Sequence, residues 1–383
     1  MAAPSDTVSP LGILLVFWIS GGALAYTFAG YGVLMALLAR GRTGKSARPT
    51  ATPDVCVVVV AHNEEARIAA RIGNLLASDY PPGKLRVLLV SDASTDATAA
   101  RAQESDPARV TVISQTARSG KAAGLNAALA QADAEIIVLT DARQRFAPDA
   151  IARLVAHFAD PAIGAVSGSL EIDAAGTAAG AGVDAYWRYE KRLRAAESRV
   201  DSCIGCTGAI YAIRRPLFTP IPADTLLDDV VIPMRIAASG ARVIHDPAAL
   251  AFDPQTLDPA SEQRRKQRTL AGNFQMLFRH PGWLLPWRHR LWWQLISHKY
   301  LRLAAPLFLL AAFASNVALA MHPFYKATLF AQTLFYAAAA LGFLPGLRHL
   351  RALALPAGFV FLNLMTLRGL CHYLTRAGLG GWK

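Results

Sequence analysis

Residues Val87 to Asp96 read Val-Leu-Leu-Val-Ser-Asp-Ala-Ser-Thr-Asp, an apolar run that stops at a carboxylate. Four consecutive aliphatic side chains are too short for a helix and suit a strand buried on both faces of a parallel sheet. Asp92 then stands at the strand's carboxyl end, where open α/β sheets bind ligands. Ile136 to Asp141, Ile-Ile-Val-Leu-Thr-Asp, repeats the pattern. Two strand-terminal acids in one sheet are expected to face one crevice.

The neighbouring sequence extends this reading in both directions. Val55 to Val60 is a first buried strand, followed by His62-Asn63-Glu64 and a helical pattern through Leu76. Strands at 87–90, 110–113 and 136–139 alternate with helices at about 96–103 and 120–132. Such alternation predicts an α/β domain with a mostly parallel, Rossmann-like sheet covered by helices. An amphipathic helix over 148–158 and a strand over 165–172 follow. Residues 174–182 are Ala and Gly with one Thr, a loop or a weak helix start. Tyr186, Trp187 and Tyr189 then interleave with Arg188, Lys191, Arg192 and Arg194, a surface that could bind sugars or lipid headgroups or simply pack. Asp228 and Asp229 open a helix that Gly240 ends, with Pro233 tolerated in its first turn. The plain reading of that acidic pair is helix capping.

The hydrophobic share of the 383 residues, 53%, is high and unevenly distributed. No charge interrupts Pro10 to Ala39, and thirty residues at about 1.5 Å each outreach a bilayer core of roughly 30 Å. Arg40, Arg42, Lys45 and Arg48 follow this helix and only Asp6 precedes it, so the positive-inside rule puts the chain from Asp54 onward in the cytoplasm. The resulting plan is a membrane helix at 10–39, a basic linker at 40–53, the α/β domain at 54–278, an interfacial segment at 279–302 and about three membrane helices within 303–375. The interfacial segment rests on Trp283, Trp287, Trp292 and Trp293 among cationic residues. Spans are expected at 303–323, 327–347 and 352–374, with Arg368 in the last turned to protein, water or the interface. Membrane flanks account for much of the +12 net charge, and no nucleic-acid motif accompanies it, which excludes that partner class. Cys203 and Cys206 form a CxxC without partner ligands and read as small buried thiols. Gly44-Lys45-Ser46 fails as a phosphate loop because the first glycine of that motif falls on Ala39.

Together these features resemble the membrane-bound, inverting glycosyltransferases of family 2, a GT-A fold group that includes cellulose, hyaluronan, chitin and poly-N-acetylglucosamine synthases. The resemblance implies that His62, Asn63, Glu64 and Asp92 approach the nucleoside and that Lys121, in the Gly120 to Asn126 segment, lies beside the nucleotide. Asp141-Ala142-Arg143 falls on the DxD motif, making Asp141 the implied ligand of Mg2+ or Mn2+. Gly205, Thr207, Gly208 and Asp228 are implied at the acceptor, and Asp229, second acid of the (E/D)D pair, is the implied catalytic base. Arg265 and Arg268 lie on the QxxRW motif, where four cations in the six residues Gln263 to Arg268 suit a diphosphate clamp.

Two departures carry weight. Arg143 replaces the second DxD carboxylate, so either the cation is held more loosely or Arg143 itself neutralises the leaving group. Thr269 replaces the tryptophan of QxxRW, which removes a stacking ring for an acceptor sugar and counts against processive polymer synthesis. The implied reaction is transfer from a nucleoside-diphosphate sugar, expected to be a UDP sugar, to a lipid-linked or glycan acceptor at the inner membrane. A ceramide-type acceptor, a processive synthase and a non-catalytic nucleotide- or polysaccharide-binding subunit are the alternatives. A transporter is disfavoured because intramembrane charge is confined to Arg368 and the spans show no repeat.

Overall fold

A computed structural model describes residues 10–42, 52–172, 180–253, 259–344, 346–347 and 350–376. Asp6, Lys45, Arg48 and the Ala/Gly stretch at 174–179 lie outside them, as do the side chains of Tyr186 and Trp187. From Gly180 onward the stretch expected as a loop or weak helix start is helical, to Val200.

Eight strands form one sheet: β1 (Val55–Ala61), β2 (Leu85–Asp92), β3 (Val110–Gln115), β4 (Ile136–Asp141), β5 (Arg145–Phe146), β6 (Ile163–Ile172), β7 (Tyr211–Arg214) and β8 (Arg242–Asp253). Their spatial order is β3-β2-β1-β4-β7-β6-β8-β5. The first four are mutually parallel, as the alternating pattern predicts. Beyond β4 the sheet is mixed: β7 runs antiparallel to β4 and β6, β8 parallel to β6, and β5 antiparallel to β8.

Every residue of β1 is buried, because Val57 and Val59 enter one apolar layer while Cys56, Val58 and Val60 enter the other. A sheet covered on both faces needs uninterrupted apolar strands, and burying each such valine contributes roughly 1.5 kcal/mol or more. One layer is closed by helices Ile68–Leu76 and Ala150–Ala156, through Ile68, Ile72, Ile151 and Leu154. The other is closed by helices Lys121–Gln131 and Asp228–Ala238, and it also takes in Leu291, Leu295, Tyr300 and Leu303. The carboxyl-terminal helices therefore grow out of the core of the sheet domain.

Among the described residues, three helices are long and apolar enough to cross a membrane: Pro10–Leu38, Trp292–Ala318 and Ala352–Thr375. The span expected from 303 starts at Trp292 instead, so the end of the interfacial segment belongs to that helix. The span expected at 327–347 corresponds to helix Pro323–Gly342, which is not one of the three; Lys326, Gln332 and Tyr336 dilute its apolar character. Arg368 is exposed on the last helix. Trp287 of the interfacial segment is 76% exposed, whereas Trp283 stacks on His280 at 4.2 Å.

Two of these three helices are interrupted by π turns, at Tyr26–Gly30 and Ile296–Tyr300. A π turn crowds an extra residue into the helix and redirects the side chains beside it. Here the two meet: the Tyr26 hydroxyl hydrogen-bonds Ser297 Oγ at 2.9 Å, and Trp293 Nε1 donates to the same Tyr26 oxygen at 3.0 Å.

Candidate active site

The carboxyl ends of β1 and β2 build one rim. His62 Nδ1 donates to the Asp92 carbonyl at 2.7 Å, which assigns the ring proton to that nitrogen. Asn63 Oδ1 accepts the Thr95 amide at 2.9 Å, and the Asn63 amide donates to Ser94 Oγ at 3.2 Å. Asn63 and Ala93 both take left-handed backbone conformations, with φ of 53° and 52°. Asp92 is only 1% exposed, and its carboxylate accepts the Ser119 and Gly120 amides at 2.7 and 2.9 Å. The acid expected on the nucleoside thus braces the loop that leads into helix Lys121–Gln131. Glu64 pairs with Arg67 at 3.0 Å, and burial pushes its carboxyl above the usual range.

Lys121 connects the two acidic motifs. Its Nζ lies 2.8 Å from Asp141 Oδ1 at the end of β4 and 3.3 Å from Asp228 Oδ2 at the start of helix Asp228–Ala238. Burial would raise the Asp141 carboxyl, but Lys121 foremost, then Arg143 and Arg268, holds it below the usual carboxylate range. Strand-end and helix-start acids, far apart in sequence, therefore meet at one ammonium.

Asp228 and Asp229 are not caps. The cap position is Leu227, no side chain bonds the first-turn amides, and both acids lie within the helix. Asp228 is 4% exposed, while Asp229 is partly accessible. Burial first, and the Asp228 charge second, push the Asp229 carboxyl up to about 6, against Lys121, Arg194 and Lys299.

Gly205 and Gly208, expected beside the acceptor, pack closely against Asp229. A Cβ on Gly208 would stand 2.9 Å from Asp229 Oδ2, and one on Gly205 would stand 3.1 Å from the Asp229 carbonyl oxygen, with Gly205 at φ +77°. The Cys206 amide donates to that carbonyl at 2.7 Å. Pro233 is what leaves the carbonyl available. It lies inside the helix, not in its first turn as the sequence suggested, and it has no amide hydrogen to return to Asp229. Cys203 and Cys206 are buried free thiols, as expected.

Arg143 donates to Asp253 Oδ2 at 2.6 Å, and Asp253 is 2% exposed at the end of β8. The arginine in the second DxD position is thus steered by an acid the sequence reading missed. Arg265 and Arg268 are exposed on helix Pro259–Arg279; Arg268 is near enough to Asp141 to lower its carboxyl, and Thr269 Oγ1 donates to the Arg265 carbonyl at 3.0 Å. Among the described residues no three His, Cys, Asp or Glu side chains gather as a metal-binding group. Asp141, with its side chain 41% exposed, offers one carboxylate. That fits a hard cation shared with diphosphate oxygens, a mode Mg2+ accepts, and does not fit an all-protein cage.

Thr207 is the point where a second unpredicted group arrives. Arg194 Nη1 donates to Thr207 Oγ1 at 3.1 Å, and Arg194 Nε lies 3.6 Å from Glu190 Oε1. Glu190 is in turn met by His298 Nε2 at 2.8 Å and Arg302 Nη1 at 3.1 Å. The other His298 nitrogen lies 2.8 Å from Glu197 Oε1, which also accepts the Tyr31 hydroxyl at 2.6 Å. Glu190, Glu197 and His298 are all at least nine-tenths buried. Burial would raise the Glu190 carboxyl; His298 first, then Arg302 and Lys299, hold it well below its usual value. A signal was present: Glu190, Arg194 and Glu197 recur at helical spacing along one face of helix Gly180–Val200.

The mixed α/β sheet, with its strand-end acid and its helix-start acid pair meeting at Lys121, has the GT-A-like fold. Residues 56–219 match the model of Glycosyl transferase family 2, and the chain carries a domain of that family. It is 34% identical over 166 residues to a beta-monoglucosyldiacylglycerol synthase of Synechocystis sp., covering 40% of this chain and 35% of the synthase. An N-acetylglucosaminyltransferase of Rhizobium meliloti is 29% identical over 238 residues, covering 55% of this chain and 54% of that protein. The chain therefore spans about a third to a half of the length of these relatives. Along almost its whole length it is similar to the mannosyltransferase PcManGT from Pyrobaculum calidifontis, solved with GDP-Man and Mn2+. That likeness has a TM-score of 0.71 and 26% identity, covering 95% of this chain and 98% of the other.

Proposed function

We propose that this chain is a multi-pass membrane glycosyltransferase that moves a hexosyl or N-acetylhexosaminyl unit from a nucleoside-diphosphate sugar to a lipid-linked or glycan acceptor, with inversion at the anomeric carbon. The observation that carries the reading is the bridge from Asp141 through Lys121 to Asp228, which supports a diphosphate-side role for Asp141 and a base role for the neighbouring Asp229 on one substrate. Asp229 takes the proton of the attacking acceptor hydroxyl. A carboxyl raised by burial is a stronger base than one in water, and it remains deprotonated near neutral pH. Inversion follows if the acceptor attacks from the face opposite the leaving diphosphate.

Cationic side chains line the leaving-group side: Lys121, Arg268 and Arg143, the last aimed by Asp253. Preorganised positive charge at the departing diphosphate is usually a large share of such catalysis. Asp141 would hold Mg2+ or Mn2+, whose charge when bound adds to theirs. His62, Asn63, Glu64 and Asp92 shape the rim for the nucleoside. A UDP sugar is the donor suggested by the sequence motifs, and GDP-Man belongs in any panel because the mannosyltransferase of similar fold was solved with it.

A lipid-borne acceptor is supported by the three spanning-length helices and by the exposed Trp287 beside the domain. Basic residues Arg40 and Arg42 after the first helix support a cytoplasmic sheet domain at the cell membrane. Full-length protein in vesicles of bacterial lipid extract, given UDP-glucose, UDP-N-acetylglucosamine or GDP-mannose with Mn2+ or Mg2+, should release nucleoside diphosphate and form a glycosylated lipid. Release by no donor in the panel, with nucleotide still bound, would favour a non-catalytic binding subunit.

A further inference from the structure

We propose that Arg194 is a positioning residue for the Asp229 base, and that Glu190, gripped by His298 and Arg302 of the Trp292–Ala318 helix, holds Arg194 at that post. The inference rests on the reading of Asp229 as the base. It adds a group that the motifs do not assign to the reaction: Arg194 and Glu190 lie inside the matched region, 56–219, and His298 and Arg302 lie beyond it.

The contacts run in one unbroken line. His298 Nε2 and Arg302 Nη1 meet the two oxygens of Glu190, at 2.8 and 3.1 Å. Glu190 Oε1 faces Arg194 Nε at 3.6 Å, and Arg194 Nη1 reaches Thr207 Oγ1 at 3.1 Å. Thr207 is fixed from behind, its amide donating to Ser167 Oγ at 2.9 Å. The next residue, Gly208, abuts the Asp229 carboxylate so closely that a Cβ would lie 2.9 Å from Oδ2. The guanidinium is thus anchored on the strip of backbone that shapes the pocket of the base.

Other charged and titratable groups face Asp229 from each packed element. Asp228 lies on its own helix, Lys121 on helix Lys121–Gln131, Arg194 on helix Gly180–Val200, and Lys299 at the π turn; Cys206 and Tyr211 lie on the strip and on β7. Lys121 is already shared between Asp141 and Asp228. Arg194 opposes the two influences that would keep Asp229 protonated, burial and Asp228. When Asp229 has taken its proton, Arg194 still has Glu190 as counter-charge, so the guanidinium need not move during the cycle.

His298 ties this line to the rest of the fold, because it also bridges to Glu197 and, through it, to Tyr31 of the first helix. The seating of the spanning helices against the sheet domain therefore reaches the acid that does the chemistry.

The test uses the full chain in lipid vesicles, with nucleoside diphosphate release and sugar transfer followed across pH. Arg194→Gln should move the acid limb of transfer to higher pH by about one unit, while nucleotide binding changes by less than about twofold. Arg194→Lys, which keeps the charge, should return the limb to within about 0.3 unit of the original. Should Arg194→Gln fail to melt cooperatively, Thr207→Val removes only the hydroxyl that receives Arg194 and should shift the limb the same way, by less. A limb that stays in place, with the rate lowered equally at every pH in Arg194→Gln or in its substitute Thr207→Val, overturns the proposal and leaves Arg194 a packing residue. Asp229→Asn run beside them separates the two readings: if it transfers sugar normally the base assignment fails, and if it is inactive while the limb stays in place only the positioning role fails.

Discussion

Pro233 has no amide hydrogen to offer the carbonyl of Asp229, and the Cys206 amide takes that carbonyl instead, at 2.7 Å. An interior proline normally costs a helix a backbone bond and some 3 kcal/mol. Here the vacated acceptor stitches the Cys203–Gly208 strip to the helix that carries both acids. Asp229 is held by its backbone on one side and by Gly208 against its carboxylate on the other.

Asp229→Asn should lower transfer by at least about a hundredfold while nucleotide affinity is kept, the loss typical of removing a general base. In the wild type, transfer should fall as pH drops through about 6, because only the deprotonated acid is a base. Stability moves the other way. An acid whose folded value lies above its unfolded one, near 3.9, favours the fold below the unfolded value and loses that contribution as pH rises through the folded value. At about pH 7.5 the Asn variant should therefore melt higher than wild type, and below about pH 4 the two should melt alike. Calorimetry at the two pH values checks the sign.

Gly208→Ala introduces a methyl 2.9 Å from Asp229 Oδ2, so the carboxylate must swing away or the strip must shift. A loss of about tenfold or more in kcat, with KM for donor nearly unchanged, is expected from a misplaced base. Steady-state kinetics with a fixed acceptor lipid would show it, and an equal rise in KM would point to a lost donor contact instead.

Lys121→Met leaves Asp141 and Asp228 without the ammonium between them. Two carboxylates around an absent cation repel, and a buried charge deprived of its partner is costly, so the variant should lose about 3 kcal/mol of stability. Donor binding should weaken at low divalent concentration and recover partly as Mn2+ is raised. Titration calorimetry with nucleoside diphosphate, at two Mn2+ levels, measures both effects.

Ala93 occupies a left-handed backbone conformation, φ 52°, where a Cβ costs roughly 1 kcal/mol. Ala93→Gly should be neutral to stabilising by up to about that amount, after the extra chain entropy of glycine is offset. A lower melting temperature would show that the Ala93 methyl has a packing role that outweighs the strain.

His298→Leu removes the bridge between Glu190 and Glu197 inside the protein. Leaving two buried carboxylates short of a partner should destabilise the chain by about 3–5 kcal/mol, read as early melting in detergent. His298→Gln, which can still hydrogen-bond both, should lose less.

Much of the site was legible because it depends on local pattern. Uninterrupted aliphatic runs ending in Asp92 and Asp141 reported strands buried on both faces, and Asp228 with Asp229 reported a helix start. Other features were not legible because they pair residues from distant elements. Asp253 reaches Arg143 only because β5 lies antiparallel to β8, and no spacing rule links them. The role of Pro233 was misread because the first-turn rule ignores an external donor such as the Cys206 amide. Asp92 stands at a strand end as expected, but the Ser119 and Gly120 amides that its carboxylate accepts come from a distant loop that no local pattern links to it. The charged stripe at Glu190, Arg194 and Glu197 was visible, but its partners His298 and Arg302 sat inside a stretch read as purely interfacial.

The facing π turns, bound through Tyr26, Ser297 and Trp293, carry a practical warning for protein production. A shortened version trimmed to the sugar-handling part alone would lose Tyr31, His298 and Arg302 together, stranding two carboxylates in what becomes a raw surface. Such a fragment should aggregate or stay inactive however carefully its ends are chosen, so the long helices and the sheet domain have to be made as one piece.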